Sequence, residues 1–565
     1  MSNVPAEYAP NLDSNEFFTA PTQSPEAKID VGVLFVGAGM AGLSGAIRLA
    51  QLLETDPEVK AKLGEVPIAV VEKGKYPGAH LLSGAVVNPS GFKKLFPETP
   101  MEEFPFRKPV TKEAVYFLTK NKSFRFPVIP PTMHNHGNYV ASISEMGKWM
   151  AQKAEAMGVM ILNETPASKL VVENGAVKGV QTGDKGLGRD GNPLSNFEPG
   201  VQIAAQATVL SEGTAGHLSG ALIGKYGLKG PNPQVYALGV KEIWDVPKPL
   251  DRVIHTMGWP LRGGKKYGEF GGSFIYPLGD AQVAIGMVVG LDTADASISV
   301  HDILQELKLH PLIRPILEGG KRADGGWGAK TIPEGGFYAL PSRLNVPGAL
   351  LVGDGAGFVN VPALKGIHYA MGTGMMAAEA IFEALKAGKD LQAPSSLDLF
   401  DEKVKGSFVW KDLYKVRNMR QVFQYGFFPG SFLAGLMTVT GGLFPGWRFK
   451  SHADSDRELF LGGRTYVKPD NQLTFDKLSS VYVSGNRSRD TQPSHLRLKT
   501  EVPEAVGEAW INMCPAAVYE WHTDEAGKKA IQTNPSNCVQ CGAITAKGGR
   551  LTPPEGGSGP EYTIT

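Results

Sequence analysis

The sequence predicts an α/β class for this chain, α+β overall, and three observations carry the prediction. The run Val31-Gly-Val-Leu-Phe-Val-Gly-Ala-Gly-Met-Ala-Gly42 is apolar and stops at three closely spaced glycines, as a buried strand entering a tight turn would. Far along the chain, Gly348-Ala-Leu-Leu-Val-Gly-Asp-Gly-Ala-Gly357 repeats the same strand-to-glycine logic, so one domain is interrupted and resumed. Between them, residues 234–291 alternate strand-like segments with glycine turns and predict a β-rich second domain. At 565 residues the chain exceeds what one core can organise, and two or three domains are expected.

Taken in order, the first glycine turn carries the most chemistry. Gly37 permits the tight turn, Gly39 lets a backbone approach a pyrophosphate, and Gly42 lets the following helix pack closely with its N-terminal amides facing negative charge. Residues 43–53 read as that helix and Pro67-Ile-Ala-Val-Val-Glu72 as a second buried strand ending in an acid. Together these give a Rossmann-like dinucleotide site. Glu72 lies further from the glycines than the roughly twenty residues usual for a ribose-binding carboxylate, and a long first crossover, residues 51–66, accounts for the delay. The loop from Lys73 through Ser83 to Gly84 is small enough to admit a flat ring or its side chain. Phe124-Arg-Phe-Pro-Val-Ile-Pro-Pro131 is apolar but proline-broken, which excludes helix interior and central strand and suggests a docking surface. Met146, Trp149, Met150 and Ala154 recur at helical spacing, and residues 169–182 read as a hairpin turning at Asn174-Gly175. Ala205 to Leu210 is a strand ending at Ser211-Glu-Gly213.

The β-rich stretch contains Gly258-Trp-Pro-Leu-Arg262, Gly271-Gly-Ser-Phe-Ile-Tyr276 and Val283-Ala-Ile-Gly-Met-Val-Val-Gly290. After the second glycine turn, residues 365–379 form a small-residue helix able to aim its N-terminus at a cofactor. From Gln421 to Trp447 no residue is charged, whereas Lys411, Lys415, Arg417 and Arg420 precede it and Arg448 and Lys450 follow. Its glycines and prolines argue against one spanning helix, and basic residues at both ends predict a segment that dips into one leaflet and returns. The three cysteines all fall near the C-terminal end: Cys514 stands alone and Cys538-Val-Gln-Cys541 is a C-x-x-C pair. Too few for a disulfide framework, they point to a metal centre in a reducing compartment. Zinc would need a fourth ligand, for which His522 is the nearby histidine, and an iron–sulfur centre suits the surroundings better. A formal net charge of +1, with no basic stripe carrying interleaved aromatics, argues against nucleic-acid binding. Residues 1–30 have the look of neither a secretion signal nor a transit peptide, which predicts a protein kept inside the cell.

Flavin-type turn, membrane-dipping segment and cysteine-proline tail occur together in one order. The chain resembles the electron transfer flavoprotein-ubiquinone oxidoreductase family from about Val33 to Tyr562. The resemblance is carried by Gly78-Ala-His-Leu-Leu-Ser-Gly84, Asn135-His-Gly-Asn-Tyr139, Gly258-Trp-Pro-Leu261, Gly271-Gly-Ser-Phe274, Gly319-Gly-Lys-Arg322, Asn360-Val-Pro362, Lys468-Pro-Asp470, Phe475-Asp-Lys-Leu-Ser-Ser480, Cys514-Pro-Ala516 and Pro554-Glu-Gly-Gly557. It implies an FAD enzyme on one membrane face that takes electrons from electron transfer flavoprotein and reduces ubiquinone. Its setting would be the cytoplasmic face of a bacterial inner membrane, or the matrix face of a mitochondrial one. It implies an FAD domain over residues 28–235 and 340–400, a quinone and membrane-contact domain over 236–339 and 401–455, and a ferredoxin-like iron–sulfur domain over 456–565. By the same resemblance Gly37, Gly39, Gly42 and Glu72 hold the ADP half of FAD. Ser83, Gly84 and Asp354 lie near its ribityl and ring portion, with Ala38, Met40, Ala41, Lys73, Gly353, Gly357 and Asn360 beside them. The backbone of Gly271 and Gly272 meets the quinone, and Cys514, Cys538 and Cys541 hold the cluster. No nucleophile or proton-relay triad is implied, because the cofactors carry the chemistry.

One departure stands out. The family pattern reads C-x-x-C-x-x-C, and this chain has Ile544 where the last cysteine would fall. A three-iron cluster, a four-iron cluster with a non-cysteine ligand, and an empty or zinc-bearing site are the alternatives. A rival function is an FAD-dependent hydroxylase or a geranylgeranyl-reductase-like enzyme acting on an apolar substrate; a docking protein using its cofactors only structurally is a third.

Overall fold

The computed structural model describes residues 2–11, 14–279 and 281–565. Its first sheet is built on the strand Lys28–Val36, buried from Val31 onward. This strand pairs in parallel with Gln202–Leu210 on one side and with Ile68–Val71, then Met160–Leu162, on the other. The far edge of Gln202–Leu210 is shared. Ala176–Thr182 pairs antiparallel with its first half and Ala349–Leu351 in parallel with its second. The two glycine turns, after Val36 and after Val352, therefore follow strands that flank Gln202–Leu210 on either side and end at the same edge of the sheet, where α/β folds place ligands. The hairpin Ala167–Glu173 to Ala176–Thr182 turns at Asn174 and Gly175, both at positive φ, as the sequence predicts.

Two helices seal the sheet behind the turns: Met40–Thr55 and Ile367–Lys386. They cross in close contact because small residues face each other. A Cβ on Gly374 would lie 2.1 Å from the Ala41 carbonyl oxygen, which explains the small-residue character of the second helix. A further helix, Ile143–Ala156, buries Met146, Met150 and Ala154 as its periodicity predicts, and Ser142 caps it by accepting the Glu145 amide.

The second sheet has the strand order Lys321–Pro333, Tyr236–Asp245, Gln282–Gly290, Gly271–Pro277, Val253–Gly258, Glu113–Leu118 and Ser123–Arg125. Every pair is antiparallel except Val253–Gly258 with Glu113–Leu118. Residues 113–125 thus come from far upstream to finish this sheet. Gly258 ends a strand, and Trp259-Pro260 turns the chain away.

Residues 421–447 fold as a short 3-10 turn, Gln421–Tyr425, then the helix Phe427–Val439 and a turn beyond it. Thirteen helical residues reach about 20 Å, short of the roughly 30 Å hydrocarbon core of a bilayer. Among the described residues no helix is long and apolar enough to cross a membrane. The helix nevertheless presents apolar side chains outward: Phe428 is 70% exposed, Val439 87% and, just after it, Leu443 82%. Two of the flanking cations behave differently from the sequence expectation. Arg417 turns inward to donate to the carbonyls of Gly442 and Tyr414, and Arg420 is buried between Asp292 and Glu334, each 2.8 Å away. They brace the segment from beneath, Arg448 is half-buried and donates to the Pro231 carbonyl and to Asn232 Oδ1, and Lys411, Lys415 and Lys450 remain exposed as the outer cations.

Candidate functional site

The strand Lys28–Val36 enters its turn with Gly37 at φ +105°, and a Cβ on Gly42 would lie 2.1 Å from the Gly37 carbonyl oxygen, so neither position tolerates a side chain. Gly39 is different: a Cβ there would meet only Leu81, at 3.8 Å, because the residue faces open space. That space is a cavity of about 1090 Å³, at the upper limit of the ~300–1,000 Å³ usual for ligand pockets. Gly37, Gly39, Met40, Ala41, Glu72, Lys73, Ser83, Gly84 and Asp354 line it.

The remaining turn residues stand behind the wall. The Ala38 amide donates to Glu72 Oε2 at 3.0 Å, and the Gly74 amide to Glu72 Oε1 at 2.7 Å, so the acid is fixed on the turn it serves. Gly353, at φ +59°, lets the second turn approach Ala41; Gly357, at φ +91°, packs against Gln234. Asn360 faces away from the cavity: its Oδ1 accepts the Ala363 amide and its Nδ2 donates to the Tyr369 hydroxyl. It braces a turn.

Several cavity groups were not singled out by sequence. Lys241 is buried in the middle of a strand and donates to the Ser83 carbonyl at 2.8 Å; burial lowers its pKa to about 7. Lys330, lowered by burial to about 8, lies near Asp354 and donates to the Gln540 carbonyl at 3.1 Å. Asp354 lines the cavity, and burial raises its carboxyl to about 6 against the pull of Lys330. Glu212 accepts the amides of Leu218 and Ser219 and the Ser219 hydroxyl and pairs with His217 at 3.2 Å. Burial opposes its ionisation, but His217 and Ser219 outweigh it and hold the pKa at about 2. Both ring nitrogens of His80, on the cavity wall, are buried without a partner. The available signal was a lysine inside an apolar strand, as in Val240-Lys-Glu-Ile-Trp244. Polar cradle, unpaired imidazole and elongated volume together fit an extended dinucleotide.

Away from the glycine turns the same cavity changes character. Phe117, Phe270, Phe423, Phe427 and Phe428 line that end, with Gly271 and Gly272 in its wall. A Cβ on Gly271 would lie 2.0 Å from the Val288 carbonyl oxygen, and one on Gly272 2.6 Å from that of Thr256. Backbone crowding alone therefore requires both glycines. Their consequence is a wall of bare peptide groups at the apolar end, beneath the exposed helix Phe427–Val439. Phe126, Pro130 and Pro131 of the proline-broken segment line the rim, and Phe124 and Val128 are exposed beside it.

The cysteines occupy a second, small cavity bounded by Met513, Val518, Tyr519, Val539, Ile544 and Leu551. Cys514 follows the helix Glu504–Met513, and Cys538 and Cys541 flank the turn before Ala543–Ala546. Sulfur acceptors are already engaged: the Val518 amide lies 3.4 Å from Cys514 Sγ, and the Gln540 amide 3.4 Å from Cys538 Sγ. Burial, with the other thiols nearby, raises the Cys541 pKa to about 12 and that of Cys538 further; a bound cation reverses that cost. Among the described residues no group of three His, Cys, Asp or Glu side chains is arranged around a single metal ion. The three thiols line one enclosed cavity with mostly apolar neighbours and, among the described residues, no fourth His, Cys, Asp or Glu side chain on its wall, which suits an iron–sulfur cluster better than zinc. His522 is exposed on the strand Tyr519–Thr523 and is no ligand here. Residues present therefore fit an iron–sulfur cluster at three of its corners.

The two sites share a wall. Thr331 donates through its amide and hydroxyl to the Cys541 carbonyl, at 2.9 and 2.8 Å, and Gly542 borders both cavities. A redox centre among the cysteines would stand one strand away from the dinucleotide.

Comparisons with known proteins agree with this geometry. Residues 236–332 match the family model described as ETF-QO, ubiquinone-binding, and residues 471–563 match electron transfer flavoprotein-ubiquinone oxidoreductase, 4Fe-4S. A mitochondrial electron transfer flavoprotein-ubiquinone oxidoreductase of Oryza sativa is 41% identical over 94% of this chain and 92% of its own length. The Homo sapiens protein of that name is 38% identical over 94% and 89% respectively. Among solved structures, a geranylgeranyl bacteriochlorophyll reductase-like protein of Thermoplasma acidophilum superposes with a TM-score of 0.54 at 17% identity, covering 73% of this chain and 92% of that one. That last likeness is one of fold. With such identity sustained over nearly its whole length, the chain belongs to the electron transfer flavoprotein-ubiquinone oxidoreductase family.

Proposed function

We propose that this protein takes electrons from reduced electron transfer flavoprotein and passes them to ubiquinone at a membrane surface, with FAD and an iron–sulfur centre as its resident groups. The observation that carries the reading is the single cavity that runs from the glycine turn to the exposed aromatic helix, with the cysteine site against its side. Bound FAD supplies two-electron and one-electron redox chemistry between a one-electron centre and a two-electron acceptor.

The chain's own residues bind, orient and shield. Gly37, Gly39 and the amides opening the helix Met40–Thr55 receive the pyrophosphate, and Glu72, held by Ala38 and Gly74, presents its carboxylate to the ribose. Ser83, Gly84 and Asp354 border the ring portion, where Lys241 fixes the loop through the Ser83 carbonyl. Gly271 and Gly272 offer peptide groups to a quinone head group, and the surrounding phenylalanines exclude water from it. Phe428, Val439 and Leu443 enter one leaflet, on the cytoplasmic face of a bacterial inner membrane or the matrix face of a mitochondrial one. In this division residues 28–235 with 340–400 carry FAD, 236–339 with 401–455 carry quinone and membrane contact, and 456–565 carry the cluster.

Ala434 lines the apolar end from the helix Phe427–Val439, remote from the glycine turn. Ala434→Trp is expected to lower quinone reduction at least about tenfold while FAD content stays that of the unaltered protein. Unchanged quinone reduction in an FAD-replete variant would place the quinone elsewhere.

A further inference from the structure

The family model over residues 471–563 describes a four-iron cluster domain, and four-iron clusters take four protein ligands as a rule. This chain has three cysteines in all, and the side chains around Ile544 bear on how the difference is made up. Ile544 lies on the wall of the cysteine cavity, 4% exposed, with the loop behind it closed down: a Cβ on Gly549 would meet Ile544 Cγ1 at 2.4 Å. The polar side chains nearest it in sequence are already committed. Thr545 Oγ1 accepts the Leu551 amide at 3.1 Å, and Lys547 reaches away to donate to the carbonyls of Thr293 and Asp454, at 3.1 and 3.3 Å. Among the described residues His80 and His495 are buried with both ring nitrogens unpaired, and His301 and His368 with Nδ1 unpaired; all four stand outside the cysteine cavity. Tyr519 is the one oxygen-bearing side chain on the cavity wall.

From this arrangement, and resting on the reading that Cys514, Cys538 and Cys541 hold the cluster, we propose that the resident centre is a three-iron, four-sulfide cluster whose missing corner faces Ile544. Each iron takes one thiolate and three sulfides, which completes a tetrahedral set without a further ligand. A fourth iron would need a ligand at its outer position, and there it meets an apolar side chain that also excludes water. Such a centre would carry one electron at a time between electron transfer flavoprotein and the flavin, with no bond made or broken and no ligand exchanged. Tyr519 serves as a hydroxyl neighbour of the cluster and not as an iron ligand.

The test uses the full chain, purified anaerobically with its FAD, and measures iron, acid-labile sulfide and EPR before and after reduction. The expected result is about three irons to four sulfides per chain, an EPR signal in the oxidised protein, and the same signal in Tyr519→Phe. Ile544→Cys should gain iron and move the signal to the reduced state. About four irons per chain, with a signal only on reduction, would overturn the three-iron proposal while leaving the cysteine site intact. Loss of the oxidised-state signal in Tyr519→Phe, with iron retained, would also overturn it. Zinc without sulfide would overturn the cluster reading itself.

Discussion

The two ends of the electron path are specified in opposite ways. At the glycine turn the site is defined by side chains that must be absent. Gly37 and Gly42 leave no room for a Cβ and Gly39 opens onto the cavity, so that in the proposed function backbone amides would do the binding. At the cysteine end the site is defined by side chains that must be present, and Ile544 stands where a fourth would be expected. A backbone site tolerates drift in everything but its glycines. A ligand site changes kind when one residue changes, because each corner of a cluster is a separate bond.

The comparison can be broken most severely at the cysteines. Cys541→Ser should abolish iron and sulfide retention and lower electron transfer flavoprotein-driven quinone reduction more than about a hundredfold, with flavin absorbance preserved; loss of flavin as well would join the two ends into one folding unit. Next in size is Gly42→Ala, whose methyl would press on the Gly37 carbonyl. Flavin content should drop at least about tenfold with iron retained, read by absorbance and metal analysis on the same sample. Val439→Asp, on the exposed helix, should weaken sedimentation with phospholipid vesicles by about tenfold or more, since a carboxylate in the hydrocarbon costs about 2.5–3.5 kcal/mol. Unaltered vesicle binding would remove residues 421–447 from the membrane contact.

The last prediction reads stability rather than activity and concerns the brace beside the dinucleotide cavity. Glu212 has a folded pKa near 2 against 4.5 for the free group. Its stabilisation is therefore present above about pH 4.5 and is lost as pH falls toward 2, amounting to about 3 kcal/mol at most. Glu212→Gln should lower the unfolding midpoint at neutral pH and flatten the acid limb of the stability profile in that window; an identical acid limb would assign the dependence to other carboxylates.

Much of the nucleotide end was legible because its signals are local. A strand, three glycines and a helix lie within one short stretch, and Asn174-Gly175 names its own turn. The small-residue helix after the second glycine turn was legible for the same reason, and its tight crossing at Gly374 and Ala41 supplies the cause. What was hidden depends on distant partners. Nothing near Glu113 announces that its strand will pair with Val253–Gly258. The charge pattern around residues 421–447 suggested a cationic collar, yet Arg420 is spent on Asp292 and Glu334, acids remote in sequence. Asn360 matched the family motif and turned out to brace a turn, whereas Lys241 and Lys330 matched nothing and lie on the cavity. Alternation in a buried strand shows that a lysine is enclosed, but not that it faces a cavity.

The most direct measurement of the central claim mixes reduced electron transfer flavoprotein with the full-length protein on vesicles containing ubiquinone and follows quinol formation. Quinol should appear in proportion to electrons supplied, fall with Cys541→Ser at unchanged flavin content, and be indifferent to NADPH. Failure to form quinol, together with NADPH consumption and substrate-dependent oxygen uptake, would contradict the assignment and favour a flavin hydroxylase built on the same fold.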